Sequence, residues 1–398
     1  MNREVVIVAA ARTAIGDFQG ALKKLTAVEL GTISGKGALE KFKVDPGVID
    51  EVVVAQTLQA GAKGNPARQI QNNCGIPMDQ GAHAVTVNQQ CASGIRVLEI
   101  ACHDILLGKS EAAFVGGIES FSNAPYYLFK AREGYRMFHG NDGPWDAMIY
   151  DGLQCGIMGY HMGITAENLQ KKYKISREEQ DELAFISHTR AVKAIREGKF
   201  KEEIIPVEIS SKKGTKIVAD DEHPRADISR EALAKMSPVF LKDGTVTAGN
   251  ASGLNDGGAV LIIMSKEKAA GLGLKPLAKV VATANYGVDA GIMGIGPVYA
   301  IPRALKYAGL TQDQIGYFEI NEAFAAQWLA CNRELKIDMD MVNANGSGIG
   351  LGHPTGCTGV RLIVSLIYEM RRRQVQYGCA SLCSGGGPAG AAIIELCD

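Results

Sequence analysis

No stretch of this chain approaches the ~18 consecutive apolar residues that a membrane-spanning helix needs. Its most apolar run, AVLIIM at 259–264, is the size of a strand. The opening MNREVVIVAAART lacks a long apolar core followed by a small-residue cleavage site, so it reads as a strand and not a leader. The final LCD matches no retention or peroxisomal address. Charge of one sign is missing too: 42 basic against 43 acidic residues leave a net charge of −1, which provides no footprint for nucleic acid. The nine cysteines form no CxxC pair and are odd in number, which fits reduced thiols in a cytoplasmic setting and not a disulfide framework. GKS or GKT phosphate loops, HExxH and clustered metal ligands are all absent, and the seven histidines lie far apart. The expectation is therefore a soluble enzyme-sized chain with no metal and no resident cofactor.

Glycine is abundant instead, with 47 residues gathered at the ends of apolar runs, as tight βα turns require. The chain also resembles itself. ALEKFKVDPGVIDEVVV at 38–54 lies against ALKYAGLTQDQIGYFEI at 304–320, an offset of 266. CASGIRVLEIACHDI at 91–105 lies against GCTGVRLIVSLIYEM at 356–370, an offset of 265. The period is too long for a solenoid, so it marks a duplicated α/β unit. Three-and-four spacing predicts buried helices over 93–107 and 358–372. Between the copies, about 121–248 is richer in charge and aromatics, and Ser176 with Glu179 forms a capping box opening a helix to about 197. The expected organisation is 1–120 plus 249–271 as one half, 121–248 as an inserted loop domain and 272–398 as the other half.

Three glycine-flanked segments are expected where strands end: VNQQCASG at 87–94, GSGIGLGHPTGCTG at 346–359 and LCSGGGPAG at 382–390. Cys91 stands at the mouth of a helix, where the helix dipole and free N–H groups are expected to lower its pKa. A lone cysteine is ordinarily a small buried hydrophobe, and position is what sets this one apart. His353, fixed before Pro354, occupies the place of Asn88 in the first copy, three residues ahead of the Cys91 position. Pseudo-symmetry thus puts the two at corresponding strand ends of facing halves, with His353 as a general-base candidate. Cys383 precedes Gly385, Gly386 and Gly387, whose backbone N–H groups could reach an oxyanion. GGGPAG formally satisfies G-x-G-x-x-G, but only eight residues follow it, too few for a dinucleotide-binding unit.

VNQQCASG, GNASGLNDG at 249–257, NEAFA at 321–325, GHPTGCTG and CSGGG together resemble, in order, the signature blocks of the thiolases. VIVAAARTAIGDFQG and YHMGITAEN at 160–168 agree, so the resemblance covers essentially the whole chain. It implies two βαβαβαββ halves packed as a five-layer αβαβα sandwich with an inserted loop domain. It further implies that Cys91 carries the acyl group, His353 activates it, and Cys383 exchanges the proton at the substrate α-carbon. Asn321 would hold a water that forms one oxyanion hole with His353, and the N–H groups of Cys91 and Gly385 would form the other. His161, Met162, Ser252, Met293 and Phe324 would lie beside the pantetheine and acyl group, and Arg225 near the coenzyme A nucleotide.

Two positions depart from the family pattern: Ser384 stands where isoleucine is common, and Gln90 where an apolar residue is usual. A ketoacyl-synthase-type condensing enzyme would need a second histidine where Asn321 stands. The resemblance is closest to short-chain acetoacetyl-CoA thiolases, which join two acetyl-CoA molecules reversibly. A broader 3-ketoacyl-CoA thiolase is the alternative within enzymes. A non-catalytic scaffold is the alternative outside them, and it should have lost one of Cys91, His353 or Cys383. Thiolases are dimers or tetramers, and 121–150 resembles the region used for tetramer contacts.

Overall fold

Apolar runs without alternation become strands covered on both faces. In the computed structural model, which describes residues 3–135, 143–212 and 214–397, the first such run is β1 (Val5–Thr13), buried along its whole length. The chain continues through α1 (Ala27–Lys41), β2 (Glu51–Ala55), α2 (Pro66–Asn73), β3 (His83–Val87), α3 (Ser93–Leu106) and β4 (Ala112–Ser120). A long excursion then carries α4 (Met162–Tyr173) and α5 (Arg177–Arg196) before β5 (Asn255–Ser265), which contains AVLIIM and is fully buried. The second part runs β6 (Ala278–Gly287), α6 (Pro297–Ala308), β7 (Tyr317–Ile320), α7 (Ala325–Leu335), α8 (Thr355–Arg373), β8 (Tyr377–Cys383) and β9 (Pro388–Leu396). Among the described residues no helix is long and apolar enough to cross a membrane.

The helix starts follow local chemistry. Capping boxes open α1 at Thr26 with Glu29 and α5 at Ser176 with Glu179, each satisfying otherwise orphaned N–H groups. The strands form one mixed sheet in the order β7-β8-β9-β6-β1-β5-β4-β2-β3. Its two halves are stitched by a short antiparallel pairing of Val5–Ile7 with Ala278–Val280.

Alternate strand residues sort into separate apolar clusters. Ile7, Val53, Val115, Leu261 and Ile263 of one half and Ala380, Leu382 and Ile394 of the other pack around α3 and α8. Val6, Val8, Val52, Val54 and Phe114 face away, toward α1 and α2. Phe318, Ile320, Ala391 and Ile393 face α6 and α7. The layers are therefore helix, sheet, helix, sheet, helix, with α3 and α8 in the middle. The two copies differ at one place. The third strand of the first copy, β3, has as its counterpart only a single bridge between Val342 and Phe318.

The excursion is fastened to the sheet by a buried ion cluster. The Arg12 guanidinium at the end of β1 donates to Glu203 at 2.7 Å and to both Asp221 oxygens at 2.7 and 2.9 Å. Such groups survive burial only because each charge is paired and hydrogen-bonded.

Where α3 and α8 cross, Gly94 meets Gly359. A Cβ on Gly359 would lie 2.8 Å from the Gly94 Cα, and one on Gly94 would lie 2.6 Å from the Val360 nitrogen. Backbone cannot move aside as a side chain can. Gly359→Ala is expected to lower unfolding stability in urea by about 3 kcal/mol, whereas Gly64→Ala, whose Cβ meets nothing within 4 Å, should leave it unchanged. Equal stabilities would refute the tight crossing.

Candidate active site

β3 delivers the chain into the turn that carries Cys91. Asn88 Oδ1 accepts the Gln90 N–H at 2.9 Å, and Ser93 Oγ accepts the Gln89 N–H at 2.7 Å while donating to the Gln90 carbonyl at 2.6 Å. These bonds hold Gln90 in the left-handed region at φ +50°, a conformation uncommon for a residue other than glycine. Cys91 follows, half-buried, two residues before α3 begins. The expected low pKa is not found. Burial pushes the Cys91 thiol up to about 11, although the N–H groups of Gly385 and of Cys91 itself, both aimed at the sulfur, pull the other way. Desolvation of the thiolate outweighs the helix end and its donors.

His353 is not at a strand end, contrary to the pseudo-symmetry expectation. It follows a one-turn helix, Gly348–Leu351, whereas Asn88 follows β3. The glycine-rich GSGIGLG lacks the run of β-branched residues, Val85, Thr86 and Val87, that HAVTV carries. The His353 backbone N–H donates to Asn255 Oδ1 at 2.8 Å. Its Nδ1 lies 2.7 Å from Thr358 Oγ1, and that hydroxyl donates its single proton to the Pro354 carbonyl at 2.9 Å. Thr358 can then only accept from the ring, which places the imidazole proton on Nδ1 and leaves a lone pair on Nε2. Burial, with Arg361 adding to it, drives the His353 pKa down to about 3, so the ring is neutral. Asn321 Nδ2 lies 3.4 Å from both ring nitrogens, and its Oδ1 is buried without a protein partner.

Cys383 ends β8 in complete burial, its thiol pushed well above the ordinary range by desolvation and by Cys91 nearby. It packs in one apolar cluster with Met162, Met293 and Phe324. Gly385 lies against the same wall: a Cβ there would meet Met162 Cε at 2.4 Å. The expected residues Cys91, Cys383, Gly385, Met162, Met293 and Phe324 are thus linked through shared contacts, and His353 and Asn321 form a second pair that the Gly94–Gly359 crossing brings toward the start of the Cys91 helix. His161 joins the first group by stacking on Phe240, its Nδ1 capping α4 through the Gly163 N–H at 3.0 Å. Ser252 is held by its backbone N–H to the Ala323 carbonyl at 3.0 Å, which binds GNAS to NEAF. Arg225 stands apart, lining an outer cavity of about 470 Å³ with Lys193, Arg196 and Phe185. No group of three or more His, Cys, Asp or Glu among the described residues is placed to hold a metal.

Three supporting residues escaped sequence reading. Thr358 sets the tautomer, and its pairing with Ser93 across the duplication was the available signal. Asn255 anchors His353 from inside GNASGLNDG. Glu119, buried, accepts from the N–H groups of Thr57, Leu58 and Gly356 and from the Thr355 hydroxyl at 2.7–3.1 Å, pinning the start of α8 to the first half.

The sequence matches the thiolase N-terminal domain over residues 5–267 and the thiolase C-terminal domain over residues 274–396. The chain belongs to the thiolase family. Acetyl-CoA acetyltransferase of Syntrophomonas wolfei subsp. wolfei is 48% identical, over 99% of this chain and 100% of that one. A solved structure of acetyl-CoA acetyltransferase from Syntrophomonas wolfei superposes with a TM-score of 0.96 at 50% identity, covering 100% of both chains. Human mitochondrial 3-ketoacyl-CoA thiolase gives a TM-score of 0.95 at 41% identity, covering 99% of each.

In this thiolase Cys91 rests as a thiol and His353 as a neutral imidazole, because burial pushes the first up to about 11 and the second down to about 3. Alkylation of Cys91 by iodoacetamide should therefore keep rising with pH toward about 11. A plateau already reached near pH ~7 would instead reveal a preformed thiolate–imidazolium pair.

Proposed function

We propose that this thiolase joins two acetyl-CoA molecules into acetoacetyl-CoA and free coenzyme A, and catalyses the reverse thiolysis. The observation that carries the reading is Cys91 beside Cys383, with the start of the His353 helix brought to that of the Cys91 helix by the Gly94–Gly359 crossing, in a chain 48% identical to an acetyl-CoA acetyltransferase.

The chemistry closes on itself. Cys91 gives its proton to Nε2 of His353 and attacks the thioester carbonyl. Coenzyme A leaves with the Cys383 proton, which yields acyl-Cys91, a Cys383 thiolate and an imidazolium. Cys383 then removes the α-proton of a second acetyl-CoA, and the resulting enolate attacks acyl-Cys91. The expelled Cys91 thiolate recovers its proton from His353. Each step builds charge on an oxygen, which preorganised donors stabilise best in a dry site. The N–H groups of Cys91 and Gly385 serve one oxygen; His353 with a water on Asn321 serves the other. The unpartnered Asn321 Oδ1 suits that water. Met162, Met293, Phe324, His161 and Ser252 line the path of the acyl and pantetheine groups, and Arg225, with Lys193 and Arg196, suits the nucleotide phosphates. The halves would be 1–120 with 249–271 and 272–398, and 121–248 would cover the site. A reducing, cytoplasmic compartment suits nine free cysteines.

A second reading, longer acyl chains, rests on the likeness to human mitochondrial 3-ketoacyl-CoA thiolase. Incubation with acetyl-CoA should leave an acetyl group on Cys91, absent in Cys91→Ser. Cys383→Ala should still acylate but lose condensation by 10²-fold or more. Thiolysis rates on 3-ketoacyl-CoAs should fall beyond four carbons, and a rise would favour the second reading. A ligand-binding chain that forms no adduct would favour a scaffold.

We further propose at least a dimer. β3 closes the sheet on one side only, its free edge carries an exposed Val85, and Tyr126, Leu128, Phe129, Trp145 and Tyr150 stand exposed on 121–150, a segment of which 136–142 lie outside the described residues. Bare edges of this kind invite pairing with a second chain. Sedimentation should give at least twice 42.4 kDa, and Val85→Lys should lower the assembly. A single-chain mass for the unmodified protein would overturn this.

A further inference from the structure

Ser384, the departure beside the second cysteine, is fully buried. Its hydroxyl donates to the Gln89 carbonyl at 2.6 Å and accepts the Ala92 N–H at 3.2 Å. Gln89 and Ala92 flank Cys91 on both sides, nearly three hundred residues away in sequence, so one hydroxyl straddles the nucleophile turn from the other half of the molecule. Asn88 and Ser93 shape the turn from within, and two longer side chains tie it outward, Gln89 Nε2 donating to Asn285 Oδ1 at 2.8 Å and Gln90 Nε2 to the Asp151 carbonyl at 3.0 Å. Among the described residues, Ser384 alone bonds to the turn's backbone from the other half. The Ser384 carbonyl in turn accepts the Gly387 N–H at 3.0 Å, which closes the glycine loop. Ser384 also adjoins Gly385, whose N–H points at the Cys91 sulfur.

We infer that Ser384 is a positioning residue for acyl transfer: its hydroxyl locks the Cys91 turn to the end of the Cys383 strand and so sets the N–H pair that receives the acyl oxygen. The inference rests on the proposed acyl-Cys91 chemistry. The logic is one of register. The two donors of that oxyanion hole belong to different segments, Cys91 to the turn and Gly385 to the strand end. Their spacing is rigid only if the segments are. A residue without a hydroxyl would leave the Gln89 carbonyl and the Ala92 N–H buried and unpaired, and the two segments would relax to find other partners. The residues proposed to hold coenzyme A do not include Ser384, so binding should not change, whereas a displaced donor weakens only the charge-building steps.

The test compares Ser384→Thr with Ser384→Val, which share one shape and differ in the hydroxyl, alongside Ser384→Ala. Acylation of Cys91 by acetyl-CoA and alkylation by iodoacetamide are followed across pH, with melting temperature as a control. Ser384→Val and Ser384→Ala should acylate about 10- to 100-fold more slowly, with KM within about twofold and alkylation moved to higher pH, since the Gly385 N–H no longer steadies the thiolate. Ser384→Thr should restore both. Should Ser384→Ala fail to fold, the threonine–valine pair still decides. Valine acylating within about twofold of threonine would overturn the inference, as would threonine and valine losing activity together in step with melting temperature. If the unmodified chain forms no adduct, the acyl-Cys91 reading fails instead, and the alkylation profiles still judge the positioning role.

Discussion

Where α3 crosses α8, Gly94 and Gly359 leave no room for a single methyl group between the helices: either Cβ would sit 2.6–2.8 Å from the opposing backbone. The crossing lies near the N-terminal end of each helix, so both helix starts are carried to one place. Cys91 precedes one start and His353 the other. Side chains of ordinary size would hold the axes 8–10 Å apart and pull the two residues away from each other. The central layer then determines the rest. The two half-sheets close over α3 and α8, the outer helices cover the sheets, and the helix starts meet the ends of β3 and β8.

Bringing the reacting groups together in the core has an electrostatic consequence. Burial disfavours every ionised form, so both thiols are pushed up and His353 is pushed down. Cys91, Cys383 and His353, the three side chains proposed to react, therefore carry no net charge at rest. In the proposed reaction charge arises only as a proton moves, beside the N–H groups of Gly385 and Cys91 that already point at the sulfur. That is the condition under which fixed dipoles help most, since they require no reorganisation when the reaction occurs. The supporting groups serve the same end: Thr358 keeps Nε2 bare, Asn255 holds the His353 backbone, and Glu119 ties the first turn of α8 to the opposite half.

How much of this the sequence reveals depends on whether a feature is local. The strands at 5–13 and 255–265, the helices behind Cys91 and His353 and the capping box at Ser176 are all written in short-range patterns, and the duplication shows which of them face each other. Two readings failed because their causes are not local. The pKa of Cys91 follows from its desolvation in the folded chain, which the helix-end position does not convey. The place of His353 after a helical turn reflects the glycine run packing where the first copy has a strand, so the duplication holds at Thr358 but not at 348–352. Asn255 and Glu119 act across long separations, and nothing near them marks that role.

The two departures from the family pattern converge on one turn. Gln90, just before the nucleophile, donates from Nε2 to the Asp151 carbonyl at 3.0 Å, while its side chain passes the Gly385 wall. Ser384 binds the same turn from the far side. In each case a polar group stands where an apolar one is usual, and each supplies a directional bond to a different segment. Apolar contact tolerates sliding, because dispersion depends only weakly on orientation, whereas a hydrogen bond weakens steeply off axis. The cluster of Met162, Met293 and Phe324 beside Cys383, the proposed acyl wall, keeps its apolar, deformable character. On the proposed reading this chain separates two demands that one residue type cannot meet together: polar bonds hold the sulfur and its N–H donors in register, and the space proposed for the acyl group is left to side chains that can adjust.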